Sequence, residues 1–156
     1  SIKKHRWAEQ LEKLRKKTEI HTERTGNRFK IFLANMGKIP QHKARADFST
    51  GFMEVAGFEV LKNDGFPTVE EAVKAAAASG AQATVICSTD DTYPEIVPAL
   101  TKQIKELNPE MIVILAGAPA PEWEEAYNEA GVDEYIHIRA NCFQILSWLQ
   151  GIGGME

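Results

Sequence analysis

Asp90 and Asp91 stand side by side just behind an apolar stretch that ends at Cys87. An acid pair in such a place suits phosphoryl transfer or a divalent cation. Phosphoacceptor chemistry on a parallel sheet also requires acids after the first strand and a lysine after the last. This chain has Asn35-Met36-Gly37 and Ile138-Arg139 there, which argues against it. His42 offers an imidazole within Ile39-Pro40-Gln41-His42-Lys43-Ala44, and with Asp90 and Asp91 it would make a cation site on one rim. The favoured reading is plainer: an acidic, solvated loop that caps the helix beginning near Tyr93. A flavin phosphate would call for hydroxyls and glycines after the first strand, and Lys38-Ile39-Pro40 supplies neither. Cys87 reads as a small core hydrophobe, not a nucleophile. His5 and His21 are expected to be exposed, and His137 to be satisfied or at a sheet edge. Trp123, Trp148 and Phe143 are expected to pack.

These side chains must be carried by something regular. Residues 6–24 read as a helix with a thin apolar stripe of Trp7, Leu11, Leu14 and Ile20, broken by Thr25-Gly26-Asn27. From Phe29 onward strand and helix alternate five times. The strands are expected at Phe29–Ala34, Phe58–Leu61, Ala83–Cys87, Met111–Leu115 and Glu134–Ile138. The helices between and after them are expected at Gln41–Ala56, Thr68–Ser79, Tyr93–Leu107, Pro121–Ala130 and Asn141–Gln150. Thr68 with Glu71 three residues on forms a capping-box pattern, Gly57 and Gly131 mark helix ends, and Pro98 is a mild objection to its helix. Strands apolar on both faces, separated by amphipathic helices, indicate a parallel sheet covered on both sides. Right-handed crossovers then give a doubly wound, flavodoxin-like α/β sheet of order 2-1-3-4-5, with ligands bound at the carboxyl ends of the strands. The chain divides into a helical arm, 1–28, and an α/β domain, 29–156.

The 156 residues hold 44% hydrophobic and 26% charged residues, ordinary for one soluble domain. No apolar run reaches the ~20 residues of a membrane span, and no signal peptide is apparent. Two cysteines, Cys87 and Cys142, read as buried thiols of a cytoplasmic protein. The first residue is not Met, which suggests a cut or processed chain. The net charge of −4 conceals an asymmetry: residues 1–30 hold ten Lys and Arg against four Glu. A basic arm can contact nucleic acid. Interleaving with Glu9, Glu12, Glu19 and Glu23 favours a solvated helix that bridges to another part of a larger protein.

Several blocks carry a resemblance. They are Gln41-His42-Lys43-Ala44-Arg45-Ala46 followed by Phe48, Thr50-Gly51-Phe52, Ala56-Gly57-Phe58-Glu59-Val60, Pro67-Thr68-Val69-Glu70-Glu71, Ile96-Val97-Pro98-Ala99-Leu100 and Glu129-Ala130-Gly131-Val132. From about Phe29 to Gly151 the chain resembles the cobalamin-binding domain of methylmalonyl-CoA mutases. The wording is nearest to the small, non-catalytic subunit of the heterodimeric bacterial enzymes. Residues 6–28 resemble the segment that joins the barrel domain of that subunit to this one.

The family holds cobalamin through a His in the first loop, a Ser-x-Leu after the third strand and a Gly-Gly after the fourth. Aligned on Thr50-Gly51-Phe52, the cobalt-ligand position falls on Gln41, the preceding acid on Ile39 and the motif glycine on Ala44. Ser-x-Leu falls on Ser88-Thr89-Asp90, and Gly-Gly on Ala116-Gly117. Gln41 lacks the imidazole nitrogen that suits cobalt, and Ile39 cannot orient one. Asp90 puts a charge where the family lines a cavity, and Ala116 adds a methyl where a close approach is needed. His42, one residue on, would need the loop to shift register. The resemblance therefore implies a structural domain with no catalytic residue, no bound cofactor and no metal. Cobalamin and chemistry would lie in a large partner subunit that isomerises methylmalonyl-CoA and succinyl-CoA, with no nucleic-acid or membrane partner. The alternatives are a working cobalamin domain using His42 and a receiver-like or small-ligand module.

Overall fold

A computed structural model describes residues 2–156. Its elements in chain order are α1 (Ile2–Thr25), β1 (Lys30–Asn35), α2 (Ile39–Glu54), β2 (Glu59–Leu61) and α3 (Val69–Ala78). They continue with β3 (Ala83–Cys87), α4 (Tyr93–Leu107), β4 (Ile112–Ala116), α5 (Pro121–Ala130), β5 (Glu134–Ile136) and α6 (Cys142–Ile152). All five strands are parallel, in the expected order β2-β1-β3-β4-β5.

The register follows from burial on both faces. Leu33 pairs with Val85 and Val85 with Ile114, and all three point into one core with Ile136. The alternate residues Phe32, Ile86, Val113 and Leu115 point into the other. Period-two alternation thus fills two cores from one sheet. The first core is covered by α2, α6 and α1, and the second by α3, α4 and α5. Among the described residues no helix is long and apolar enough to cross a membrane.

Local chemistry explains the element ends. The Thr68 hydroxyl accepts from Glu71 N–H at 3.2 Å and starts α3. Gly131, at φ +117°, closes α5. Helix α2 begins at Ile39, two residues earlier than expected, because Pro40 fits a first turn, where its missing N–H has no intrahelical role. Pro98 lies inside α4 without ending it. Strand β5 stops at Ile136 instead of Ile138, where a turn closed by Ala140 N–H to His137 O at 3.0 Å takes over.

The arm corrects two expectations. It is not a solvated bridge along its whole length: its inner face lies on α6 and the end of α2. Leu14 is buried as expected, but Ile20 and Trp7 are exposed and Thr18 is buried in their stead. The buried Gln150 amide donates to Leu14 O at 2.7 Å and to Thr18 Oγ1 at 3.0 Å, and Arg15 donates to Glu54 O at 2.9 Å. His21 is half-buried, not exposed.

Candidate functional site

Helix α2 leaves the carboxyl end of β1 and passes between two clefts. One lies towards β4 and β5, the other towards β2.

The cleft towards β4 and β5 has a volume of about 230 Å³ and includes Arg45, Phe48, Ala116, Gly117 and Ile136 in its walls. Arg45 reaches across its inner end. The guanidinium Nη1 lies 2.7 Å from Asp90 Oδ1 and donates to Ser88 O at 3.1 Å, and its carbon stands 5.3 Å from the centre of the Tyr93 ring. A β-carbon on Gly117 would lie 3.0 Å from Arg45 Cζ, and Gly117 sits at φ +131°, a conformation that L side chains avoid. Partial burial opposes the Arg45 charge. The Asp90 hydrogen bond and the field of Tyr93 outweigh it and raise the guanidinium's pKa.

Beneath this latch Tyr93 ties two strand ends together. Its buried phenol donates to Ala116 O at 2.6 Å and accepts from Ser88 N–H at 3.0 Å. Burial first, then the neighbouring Cys87, raises its pKa far above the ordinary phenol value. Ser88 Oγ donates to Met36 O at 3.0 Å, which joins the end of β3 to the loop after β1. Cys87 is fully buried, and desolvation pushes its thiol up to about 12. That makes it an inert core residue, as expected. Cys142 is half-buried instead of buried.

Asp90 neither caps α4 nor lines an apolar cavity. It is 68% exposed and bound to Arg45. The N-cap position of α4 is Thr92, which makes no side-chain cap, and Thr89 closes the turn before it: its Oγ1 accepts from Thr92 N–H at 3.3 Å and its carbonyl from Tyr93 N–H at 3.2 Å. Among the described residues no three His, Cys, Asp or Glu side chains gather as a metal site, so Asp90, Asp91 and His42 do not converge on a cation.

At the first turn of α2 the Gln41 side chain bends back, and its Oε1 accepts from Lys38 N–H at 2.9 Å. This is the reach-back half of a capping box and engages the amide oxygen in holding the helix start. Ile39 is half exposed, and Ala44 is exposed. His42 is 3% exposed and belongs to the other cleft. Its Nδ1 lies 3.2 Å from Gly37 O. Gly65 packs so closely that a β-carbon there would be 2.6 Å from His42 Cε1. Trp123 stacks on Tyr127 at 6.3 Å, Phe143 packs against the first core, and Trp148 is 38% exposed.

Sequence reasoning missed Arg45 and Tyr93. The one available signal was the pairing of a departure with a compensation: a new acid at Asp90 calls for a nearby cation, and Arg45 stands one helical turn beyond Gln41.

No family model matches the chain. Among curated proteins it is 34% identical over 141 residues to a methylmalonyl-CoA mutase small subunit from Porphyromonas gingivalis, covering 90% of this chain and 21% of that protein. It is 27% identical to the large subunit from Propionibacterium freudenreichii subsp. shermanii, covering 81% of this chain and 17% of that one. The chain thus spans about a fifth of the length of these curated relatives. Among solved structures a cobalamin-binding protein from Desulfitobacterium hafniense superposes with a TM-score of 0.62 at 18% identity, over 81% of this chain and 60% of that one. A CheY-like receiver domain from Methanospirillum hungatei superposes with a TM-score of 0.57 at 19% identity, over 82% and 98%. At such identities the two structures establish the shared fold.

Proposed function

Along nine tenths of its length this chain is homologous to a segment of methylmalonyl-CoA mutase small subunits, and from that kinship we propose that it is a structural, non-catalytic domain of such a mutase. In this reading a large subunit supplies cobalamin and performs the isomerisation of methylmalonyl-CoA and succinyl-CoA, and the two subunits form a heterodimer. Residues 29–156 are the cobalamin-binding-like domain, and residues 1–28 are the arm that ties it to the rest of its subunit.

The observation that carries the reading is the Arg45 latch. A cofactor tail laid against the backbone after β4 would need the space over Gly117 that the guanidinium fills. At the cobalt-ligand position Gln41 offers an amide whose oxygen already holds the start of α2. These residues do not fit a cobalamin held through an imidazole, and no step of the isomerisation is assigned to them. The relation to the large subunit supports a second copy of one fold kept for assembly.

The test is a titration of the chain with hydroxocobalamin and adenosylcobalamin, followed by visible spectra and calorimetry. The expected result is no saturable change at high micromolar cofactor. Tight binding with a spectral change that His42→Ala removes would overturn the reading and make this a working cofactor domain.

A further inference from the structure

On the α4–α5 side of the sheet a third cleft, of about 210 Å³, opens between the loop after β3 and the loop after β4. It is smaller than drug-sized sites, roughly 300–1,000 Å³, and suits a ligand of a few heavy atoms. The structural role above makes no use of it.

One wall is aromatic. Trp123, in the first turn of α5, is 39% exposed, and its ring stacks on that of Tyr127 with 15° between their planes. Tyr127 belongs to the second core and is 3% exposed. The three tyrosines differ in what their hydroxyls do. Tyr93 donates to Ala116 O and Tyr135 to Asn128 Oδ1, whereas Tyr127 Oη has no hydrogen-bond partner among the described residues. Nor is it sealed from solvent: the unpartnered polar atoms that are sealed are Asn35 Oδ1, Thr84 Oγ1 and Thr101 Oγ1. Burial first, then the fields of Asp90 and Glu122, raises the Tyr127 pKa. Both carboxylates line the cleft, as Tyr127 does, so the open hydroxyl stands on the cleft side of the ring and stays protonated there.

The other wall is acidic. Asp90, Asp91 and Glu122 border the cleft. Asp90 is paired with Arg45, while Asp91 and Glu122 have no ion-pair partner among the described residues. The N-termini of α4 and α5 also meet here, each worth roughly half a positive charge. Three carboxylates outweigh Arg45 and both helix ends together, so the cleft favours a cation. Among the described residues no three acids gather as a metal site, which sets a bare divalent ion aside. An organic ammonium fits better. The indole face attracts its charge, the phenol oxygen accepts an N–H, and the carboxylates supply the field. Pro94 and Pro119 border the cleft with φ fixed by their rings, so little backbone order has to be gained on binding.

We propose that this cleft binds the primary ammonium group of a small alkylamine, with Tyr127 Oη accepting one N–H, the Trp123 ring facing the charge, and Asp91 and Glu122 neutralising it. The site lies on the other face of the sheet from α2 and does not depend on the mutase assignment.

n-Butylammonium chloride is the probe, followed by amide and indole chemical-shift titration of the full 156-residue chain at constant ionic strength. n-Butanol, which has no charge, and tetramethylammonium, which has no N–H, are the comparisons. n-Butylammonium is expected to bind saturably at about millimolar concentration, as a fragment of that size should. The shifts should centre on the Trp123 indole and the Tyr127 amide, and n-butanol should bind at least about tenfold more weakly. Tyr127→Phe keeps the ring and its packing. It should weaken n-butylammonium about tenfold and leave tetramethylammonium unchanged. Trp123→Ala, at a partly exposed position, should weaken both cations while the fold is kept. Absence of saturable shifts with n-butylammonium, equal binding of n-butanol, or full binding of n-butylammonium in either variant would each overturn the proposal and leave a solvated acidic loop.

Discussion

The two flanks of α2 solve opposite problems with the same helix. On the β4–β5 side a long side chain, Arg45, is sent across a glycine and latched by an acid, and the space over that glycine is taken up, leaving a cleft of about 230 Å³. On the β2 side a side chain is withheld at Gly51, and the space stays open. Closure needs several compensating changes at once: a cation, an acid to hold it, and a phenol beneath. Openness needs only a missing side chain at Gly51. The groove at the Gly-Gly position is therefore the tighter one, and the flank that takes in Ile39, His42 and Gly51 is the one with more room.

The sharpest way to break the comparison is to remove the closed flank's footing. Tyr93→Phe keeps the ring but leaves Ser88 N–H and Ala116 O without their buried partner, and should cost about 1–3 kcal/mol in chemical denaturation. A pH series sharpens the test. The Tyr93 pKa is raised in the folded state, so its contribution is complete below the ordinary phenol value of about 10 and is lost as pH rises above it. The variant should therefore show a flatter alkaline limb than the parent protein. Unchanged stability in Tyr93→Phe would mean that the latch rests on something else.

Gly117→Ala should cost about 1–2 kcal/mol, from the backbone conformation and from the clash with Arg45. In an Arg45→Ala background the clash is gone and the backbone part remains. A double-mutant cycle should thus show a smaller penalty there, and additivity would deny that the guanidinium fills the groove. On the open flank the sign reverses. Gly51→Ala should raise stability by about 0.5–1 kcal/mol, read from the denaturation midpoint. A loss would show that the cleft is tighter than described. The smallest effect belongs to Asp90→Asn, under about 1 kcal/mol because the carboxylate is largely exposed, and it should shrink further as salt is added.

The sheet was legible because its signal is local. Ala83–Cys87, Tyr93–Leu107 and Pro121–Ala130 appear with the bounds that apolar runs, prolines and a closing glycine predict. Thr68 announced its cap through Glu71. The candidate site was legible where it concerned loops and illegible where it concerned reach. Arg45 looks like any polar residue on a helix, and nothing in periodicity tells that its guanidinium will meet a carboxylate 45 positions on. The arm shows the same limit. A stripe read from hydrophobicity chose Ile20, whereas the fold buries Thr18, because a hydroxyl can be buried when an amide from the far end of the chain is there to meet it.

That amide sets how the arm can come away. Gln150 grips α1 at two points one helical turn apart, the Leu14 carbonyl and the Thr18 hydroxyl. Sliding the helix by one residue moves both points by about 1.5 Å and turns them by roughly 100°. A buried amide would then face apolar atoms, at about 1–3 kcal/mol. Intermediate positions are thus worse than either end. The arm behaves as a keyed part: it sits in one register or lifts off whole, and a pull along it is passed to α6 without creep.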